Sequence, residues 1–138
     1  MTENIILNWK EAMAFSSSVD GFDIQVDAHQ EHGGTGNGPR PKPLLLVALA
    51  GCTAMDVVSI LTKMKTPFRD VKVEVSAEQT QTHPKVYSSF HIIYHIYGKD
   101  VLKEKVERAI NLSQNQYCGV SAMLKKAAEI SYEIKLHE

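Results

Sequence analysis

The residues of this chain best able to do covalent chemistry are its two cysteines, Cys52 and Cys118. Cys52 stands in the middle of "PLLLVALAGCTAMDVVSILTKMK", Pro43 to Lys65, flanked by Gly51 and Thr53. Neither belongs to a CxxC pair. Two such thiols leave three uses: catalysis, a redox switch, or plain packing, because free cysteine also behaves as a small buried hydrophobe.

A thiol reacts as its thiolate, so a working Cys52 needs its ordinary pKa near about 8.5 lowered. Its place in a helix does not lower it. From Pro43 to Cys52 is roughly 13 Å at ~1.5 Å per residue, whereas the helix dipole fades within the first turn. Burial pushes a thiol up, and an ionised Asp56 one turn later pushes it further. A cation must come from elsewhere, and the candidate thiolate-stabilising residues are Lys42, Arg40 and Lys10. A thiolate held by such solvated charges is expected to titrate nearer about 7 to 8 than 5. Cys118 follows "NQY" at the start of a helical piece, where unpaired backbone N–H groups face its sulfur, so it is expected to be the more accessible thiol of lower pKa. If the two sulfurs meet, oxidation of one is resolved by the other as a disulfide.

Histidine is the rival chemistry. His91 and His95 share one face of a strand, with His83 beyond the turn and His29 and His32 near a glycine-rich loop, but no standard ligand spacing recurs. No metal and no bound cofactor are expected.

The elements that position these groups follow from pattern. "IILNW", "EAMAFSS" and "FDIQVD" read as short strands, with Asp20-Gly21 as a hairpin turn. "EHGGTGNGPRPKP" is a loop, and it lacks the spacing and the Gly-Lys-Ser/Thr ending of a phosphate-binding loop. Pro41 and Pro43 lead into a helix running to about Lys65, with Pro67 as its stop. On that helix Cys52, Asp56, Ser59 and Lys63 form one stripe, and Leu45, Leu46, Leu49, Val57, Ile60, Leu61 and Met64 cover much of the rest. "DVKVEVSAEQTQ" alternates as a half-buried strand and pairs through Thr82-His83-Pro84 with the long strand "KVYSSFHIIYHIYG". A helix from about Val101 to Ser113, a helical piece from Cys118 and a closing strand in "ISYEIKLHE" complete the order. The class is α+β with antiparallel sheets.

At 138 residues the chain is expected to be one domain, 1–138, with a single site. A net charge of -1 with scattered signs points away from nucleic acid and from anionic membrane surfaces. The start "MTENIILNWK" has no export signal, so a cytoplasmic protein is expected. The run Leu44 to Cys52 is about half of the ~20 residues a membrane span requires. A helix so apolar in so small a chain calls for a second subunit as its cover.

These residues carry a family resemblance. "EHGGTGNGPRPKPLLLVALAGCTAMDVVSIL" resembles the segment of the OsmC/Ohr family in which a GGxG loop and a proline lead into a helix bearing a central cysteine, and the likeness recurs at "QYCGVS". The form "AGCTAMDVVSILTKM" is most similar to the OsmC-like branch that includes YhfA. The resemblance implies an OsmC-like fold, with sheets wrapped around a long central helix in an intertwined homodimer. It implies a peroxidase acting on organic hydroperoxides in oxidative-stress defence, with Cys52 attacking the peroxide and Cys118 resolving the sulfenate. An external dithiol, lipoylated protein in the characterised branch, would regenerate it. In those peroxidases an arginine from the N-terminal strands holds the thiolate and a glutamate at the helix start holds the arginine. Here residues 1 to 39 contain no arginine, and Lys42 and Pro43 stand where the acid would be. That departure keeps a second expectation open: a non-catalytic relative that binds a lipid-like ligand or acts as a slow redox sensor.

Overall fold

The computed structural model describes all 138 residues. They form two compact units, Met1–Leu45 and Leu46–Glu138. In the first, β1 (Asn8–Glu11), β2 (Ala14–Val19) and β3 (Phe22–Val26) make an antiparallel sheet in that order. The first turn falls at Ala12 and Met13, inside the segment read from sequence as a strand, and Ala12 takes a left-handed φ of 47° there. The second is the expected hairpin, with Asp20 at φ 52° and Gly21 at φ 83°.

The glycine-rich loop is organised by one carboxylate. Asp27 is 3% exposed. Its Oδ2 accepts from the backbone N–H groups of Thr35 at 3.2 Å and Asn37 at 3.0 Å, and from the Thr35 hydroxyl at 3.2 Å. Its Oδ1 accepts from Ala28 N–H at 2.7 Å. Loop amides that could cradle an external anion are thus engaged by an internal one. Gly34 fits only as glycine, because a Cβ there would overlap the Ala28 carbonyl.

The second unit begins within α1 (Leu44–Lys63) and continues with β4 (Asp70–Gln79), β5 (Tyr87–Tyr97), α2 (Lys103–Leu112), a π-helical turn at Ser113–Tyr117, α3 (Gly119–Leu124) and β6 (Glu129–His137). The end of α1 is set before Pro67: Lys65 turns left-handed at φ 55°, and the N–H groups of Lys65 and Thr66 reach back to the carbonyls of Thr62 and Leu61 at 3.0 Å each. β4 and β5 pair antiparallel as their alternation demands.

The α+β class stands, with one correction of detail: β6 runs parallel to β5, so the second sheet is mixed rather than antiparallel. The chain between them, residues 98–128, is long enough to carry α2 and α3 as a crossover and return to the same end of the sheet. The core lies between this sheet and the helices. Phe90, Ile92, Tyr94 and Ile96 of β5 meet Leu49, Val57 and Leu61 of α1, and Val106, Ala109 and Ile110 of α2.

Around α1 the burial is uneven. Leu49, Thr53, Val57 and Leu61 make the buried stripe. On another face Val47 is 65% and Met55 74% exposed, with Val58 at 38%. Within one chain, then, α1 is left uncovered on that face. An 18-residue window of α1 reaches a mean hydropathy of 2.2, enough by length and composition to cross a membrane, and one stripe of the same helix, Leu49, Val57 and Leu61, packs in the core.

Asp27 supplies a stability prediction. Hydrogen bonds from the Asn37 and Ala28 amides, with those of Thr35, hold its carboxyl below the ordinary carboxylate value. A depressed folded-state pKa contributes stability that is complete above the unfolded value near about 3.9 and lost as pH falls through the folded one. Thermal unfolding should therefore separate the unmodified chain from Asp27→Asn at neutral pH and bring the two together in strong acid. A gap that does not change with pH would show that the carboxylate charge plays no part.

Candidate functional site

Cys52 and Cys118 come together. Their sulfurs and a carboxylate oxygen of Asp56 all lie within 4.8 Å of one another. Cys52 and Asp56 are one turn apart on α1, and Cys118 sits where the π-helical turn ends and α3 begins. No disulfide joins the two thiols.

The turn itself places Cys118. Its N–H bonds the Ser113 carbonyl at 2.7 Å, five residues back, and this extra residue in the turn brings its side chain to the start of α3. There the sulfur accepts from Ser121 N–H at 3.3 Å and from the Ser121 hydroxyl at 3.1 Å, as its position ahead of a helical piece led one to expect. Its accessibility is the reverse of the expectation. Cys118 is 3% exposed, whereas Cys52 is half-buried.

A buried polar cluster stands behind the pair. Thr53 Oγ1 lies 2.7 Å from the Tyr94 hydroxyl and 2.8 Å from Ser113 Oγ. Ser113 Oγ donates to Asp56 Oδ2 at 2.8 Å. A hydroxyl has one proton, so the direction of the chain follows: Tyr94 donates to Thr53, Thr53 to Ser113, and Ser113 to the carboxylate. Gln114 Nε2 donates to both Thr53 Oγ1 at 3.2 Å and the Tyr94 oxygen at 3.1 Å, leaving its Oε1 buried without a partner. Burial pushes the Tyr94 hydroxyl up to about 12, against the lowering by Thr53 and Gln114, so it remains a donor. Lys125 Nζ donates to the Gln114 carbonyl at 2.6 Å and ties down the π-helical turn.

Beside Asp56 opens a cavity of about 450 Å³ lined by Asp56, Ser59, Ile60, Lys63, Leu112 and Tyr117. It continues the helix stripe of Cys52. Its cation is Lys63, one of the residues of that stripe.

The electrostatics correct one expectation. Cys52 is raised, not lowered: burial comes first, then the hydrogen bond with Cys118, opposed by the Val120 backbone N–H, and then the charges of Cys118 and Asp56. No lysine or arginine stands among these influences. Lys10 is exposed on β1, Arg40 is exposed in the loop, and Lys42 is half-buried just before α1; all three belong to the first unit.

His91 and His95 share a face, as their spacing requires, but both are paired. His91 lies 2.7 Å from Ser131 Oγ and 3.0 Å from Glu133 Oε2. His95 lies 2.9 Å from His137 Nε2 and 3.1 Å from Glu74 Oε1. Thr53, Tyr94, Ser113, Gln114 and Ser121 are the site residues that sequence reasoning missed. Thr53 left a signal, a hydroxyl in the row Leu49, Val57, Leu61; the others left none.

Comparison with known proteins bears on the family and the fold. The family model described as OsmC-like protein matches residues 34–133. Protein YhfA of Escherichia coli (strain K12) is 34% identical over 132 residues, covering 93% of this chain and 95% of its own length. The crystal structure of a hypothetical protein from Aquifex aeolicus VF5 superposes with a TM-score of 0.84 at 30% identity, covering 100% of this chain and 99% of that one. The organic hydroperoxide resistance protein OhrB of Bacillus subtilis gives a TM-score of 0.69 at 16% identity over 98% of both chains, a likeness of fold alone.

The raised thiol has a direct test. Alkylation of the Cys52 peptide followed against pH is expected to show a midpoint above that of an ordinary free cysteine. Asp56→Asn should lower it, since removing an adjacent negative charge favours the thiolate. A midpoint below about 7 in the unmodified chain would mean that a cation reaches Cys52 after all.

Proposed function

The chain belongs to the OsmC family, and from that premise we propose that it is a thiol-dependent peroxidase reducing organic hydroperoxides. The observation that carries this reading is the meeting of Cys52, Cys118 and Asp56 within 4.8 Å, next to an open, partly apolar cavity. Structural relatives that are organic hydroperoxide resistance proteins support it at the level of fold.

Cys52, the half-exposed thiol, is the nucleophile. Its proton passes to Asp56 or water, and the thiolate attacks the outer peroxide oxygen. The O–O bond breaks, the alcohol leaves with a proton, and Cys52 becomes a sulfenic acid. Cys118 then attacks that sulfur and expels water, forming the disulfide. An external dithiol, such as a lipoyl group, reduces the disulfide and restores both thiols. No bound cofactor takes part. Lys42, Arg40 and Lys10 stay candidates for a cation that approaches in a working assembly.

A second reading rests on the raised Cys52 thiol. With little thiolate at neutral pH, the same pair would serve as a slow redox sensor, or the site would hold a lipid-like ligand without turnover. One experiment separates the two. Stopped-flow reaction with cumene hydroperoxide should proceed many times faster than with free cysteine, accelerate as pH rises because more of the raised Cys52 thiol ionises, and yield a Cys52–Cys118 link on peptide mapping. In Cys118→Ser the reaction should stop at oxidised Cys52. A rate no greater than that of free cysteine would hand the site to the second reading.

We also propose a homodimer. Val47, Gly51, Met55, Val58 and Thr62 recur at spacings of four, four, three and four along α1, a continuous stripe turned away from the core. A second copy of α1 would cover it. Sedimentation at micromolar concentration should show a dimer, and Met55→Glu should break it. A monomeric unmodified chain would refute the assembly.

A further inference from the structure

The thiol pair and Asp56 form more than a redox centre. We propose that the reduced site binds one zinc ion through Cys52 Sγ, Cys118 Sγ and the Asp56 carboxylate, with a fourth position open to solvent.

The donor set fits the ion. Zinc is borderline soft and takes thiolate and carboxylate in tetrahedral sites, with Zn–S about 2.3 Å and Zn–O about 2.0–2.2 Å. Two sulfurs on one tetrahedral centre stand roughly 3.8 Å apart at those bond lengths. The three donors already lie within 4.8 Å of one another, so they converge by side-chain movements on the order of 1 Å. Three donors with an open position is the pattern of an exchangeable site rather than a closed structural one. Cys52 is half-buried, which leaves the fourth direction accessible.

Charge argues the same way. Metal ligands bind deprotonated, and two thiolate sulfurs with a carboxylate oxygen within 4.8 Å of one another would repel. A dication is the species that relieves that repulsion. The outer shell is built as metal ligands require. Ser113 Oγ holds Asp56 Oδ2 at 2.8 Å, and Ser121 holds Cys118 through N–H at 3.3 Å and hydroxyl at 3.1 Å. Ser113 is itself fixed by Thr53 at 2.8 Å. Binding releases the thiol protons to solvent, and a Cys52–Cys118 disulfide removes two of the three donors. Metal and disulfide are therefore mutually exclusive states of one site.

Reduced, chelator-stripped full-length protein titrated with Zn²⁺ against a chromophoric chelator should take up a single equivalent per chain. Co²⁺ in its place should give the intense visible bands of a tetrahedral centre and a thiolate charge-transfer band. Both signals should vanish in Cys52→Ser, in Cys118→Ser and in protein oxidised with diamide. Asp56→Asn should weaken binding at least tenfold, and Ser113→Ala by about tenfold. In the unmodified chain, saturating Zn²⁺ should slow alkylation of the Cys52 peptide at least tenfold, a readout that depends on no variant. Uptake undiminished in both cysteine variants would place the ion elsewhere and overturn the site, as would alkylation indifferent to Zn²⁺. The inference is independent of the peroxidase reading: zinc uptake without peroxide reduction sustains it, and peroxide reduction without zinc uptake defeats it alone.

Discussion

A single file of hydroxyls holds the site in place. Tyr94 of the sheet, Thr53 of α1 and Ser113 of the π-helical turn are joined at 2.7 and 2.8 Å, and the file ends on the Asp56 carboxylate at 2.8 Å. These groups are buried, so a missing member leaves its neighbours unsatisfied at a cost of about 1–3 kcal/mol each. Sheet, helix and turn are therefore held to one mutual arrangement, where apolar contacts alone would tolerate sliding. Gln114 completes the cluster from the turn, and its unpartnered Oε1 is the one polar atom there without a hydrogen bond. Ser113 holds Asp56 through its hydroxyl and Cys118 through its carbonyl, so the distance between the two is set at that one residue.

The helix α1 performs three tasks on three faces. Leu49, Thr53, Val57 and Leu61 bind the core. Cys52, Asp56, Ser59 and Lys63 form the stripe that faces the second thiol and the cavity, the last three lining the cavity. Val47, Met55 and Val58 remain exposed. The near-uniform apolarity of the segment conceals this division, because a helix buried against its own sheet and a helix serving an interface both need apolar residues. Polar atoms reveal it: the one hydroxyl of the buried row binds the sheet, and the one acid binds the turn.

The two thiols have different partners although they lie only a few ångströms apart. Cys118 lies at the start of α3 under two donors from Ser121, while Cys52 is raised by burial, by Cys118 and by Asp56, with one opposing N–H from Val120. This accords with a chain that lacks the arginine and glutamate expected for activating Cys52. Where a fixed cation is missing, the site must gain its charge balance from protons, from a metal ion or from a group brought by another chain. The chemistry available to it is then conditional on pH and on what occupies it.

Much of this was legible in the sequence. Alternation in Val71, Val73 and Val75 marks a half-buried strand, Asp20-Gly21 marks a hairpin, and the proline-flanked apolar run marks α1, because each rests on local geometry that side chains impose on their own backbone. The stripe of Cys52 with Asp56 and the opposing effect of the acid on the thiol follow from helical periodicity alone. Three things needed the tertiary structure. The parallel course of β6 depends on where a crossover returns, which no local pattern encodes. The approach of Cys52 to Cys118 depends on one extra residue in a turn at Ser113–Tyr117. The buried file from Tyr94 to Asp56 joins residues up to 60 positions apart, and only packing decides that their hydroxyls point at one another.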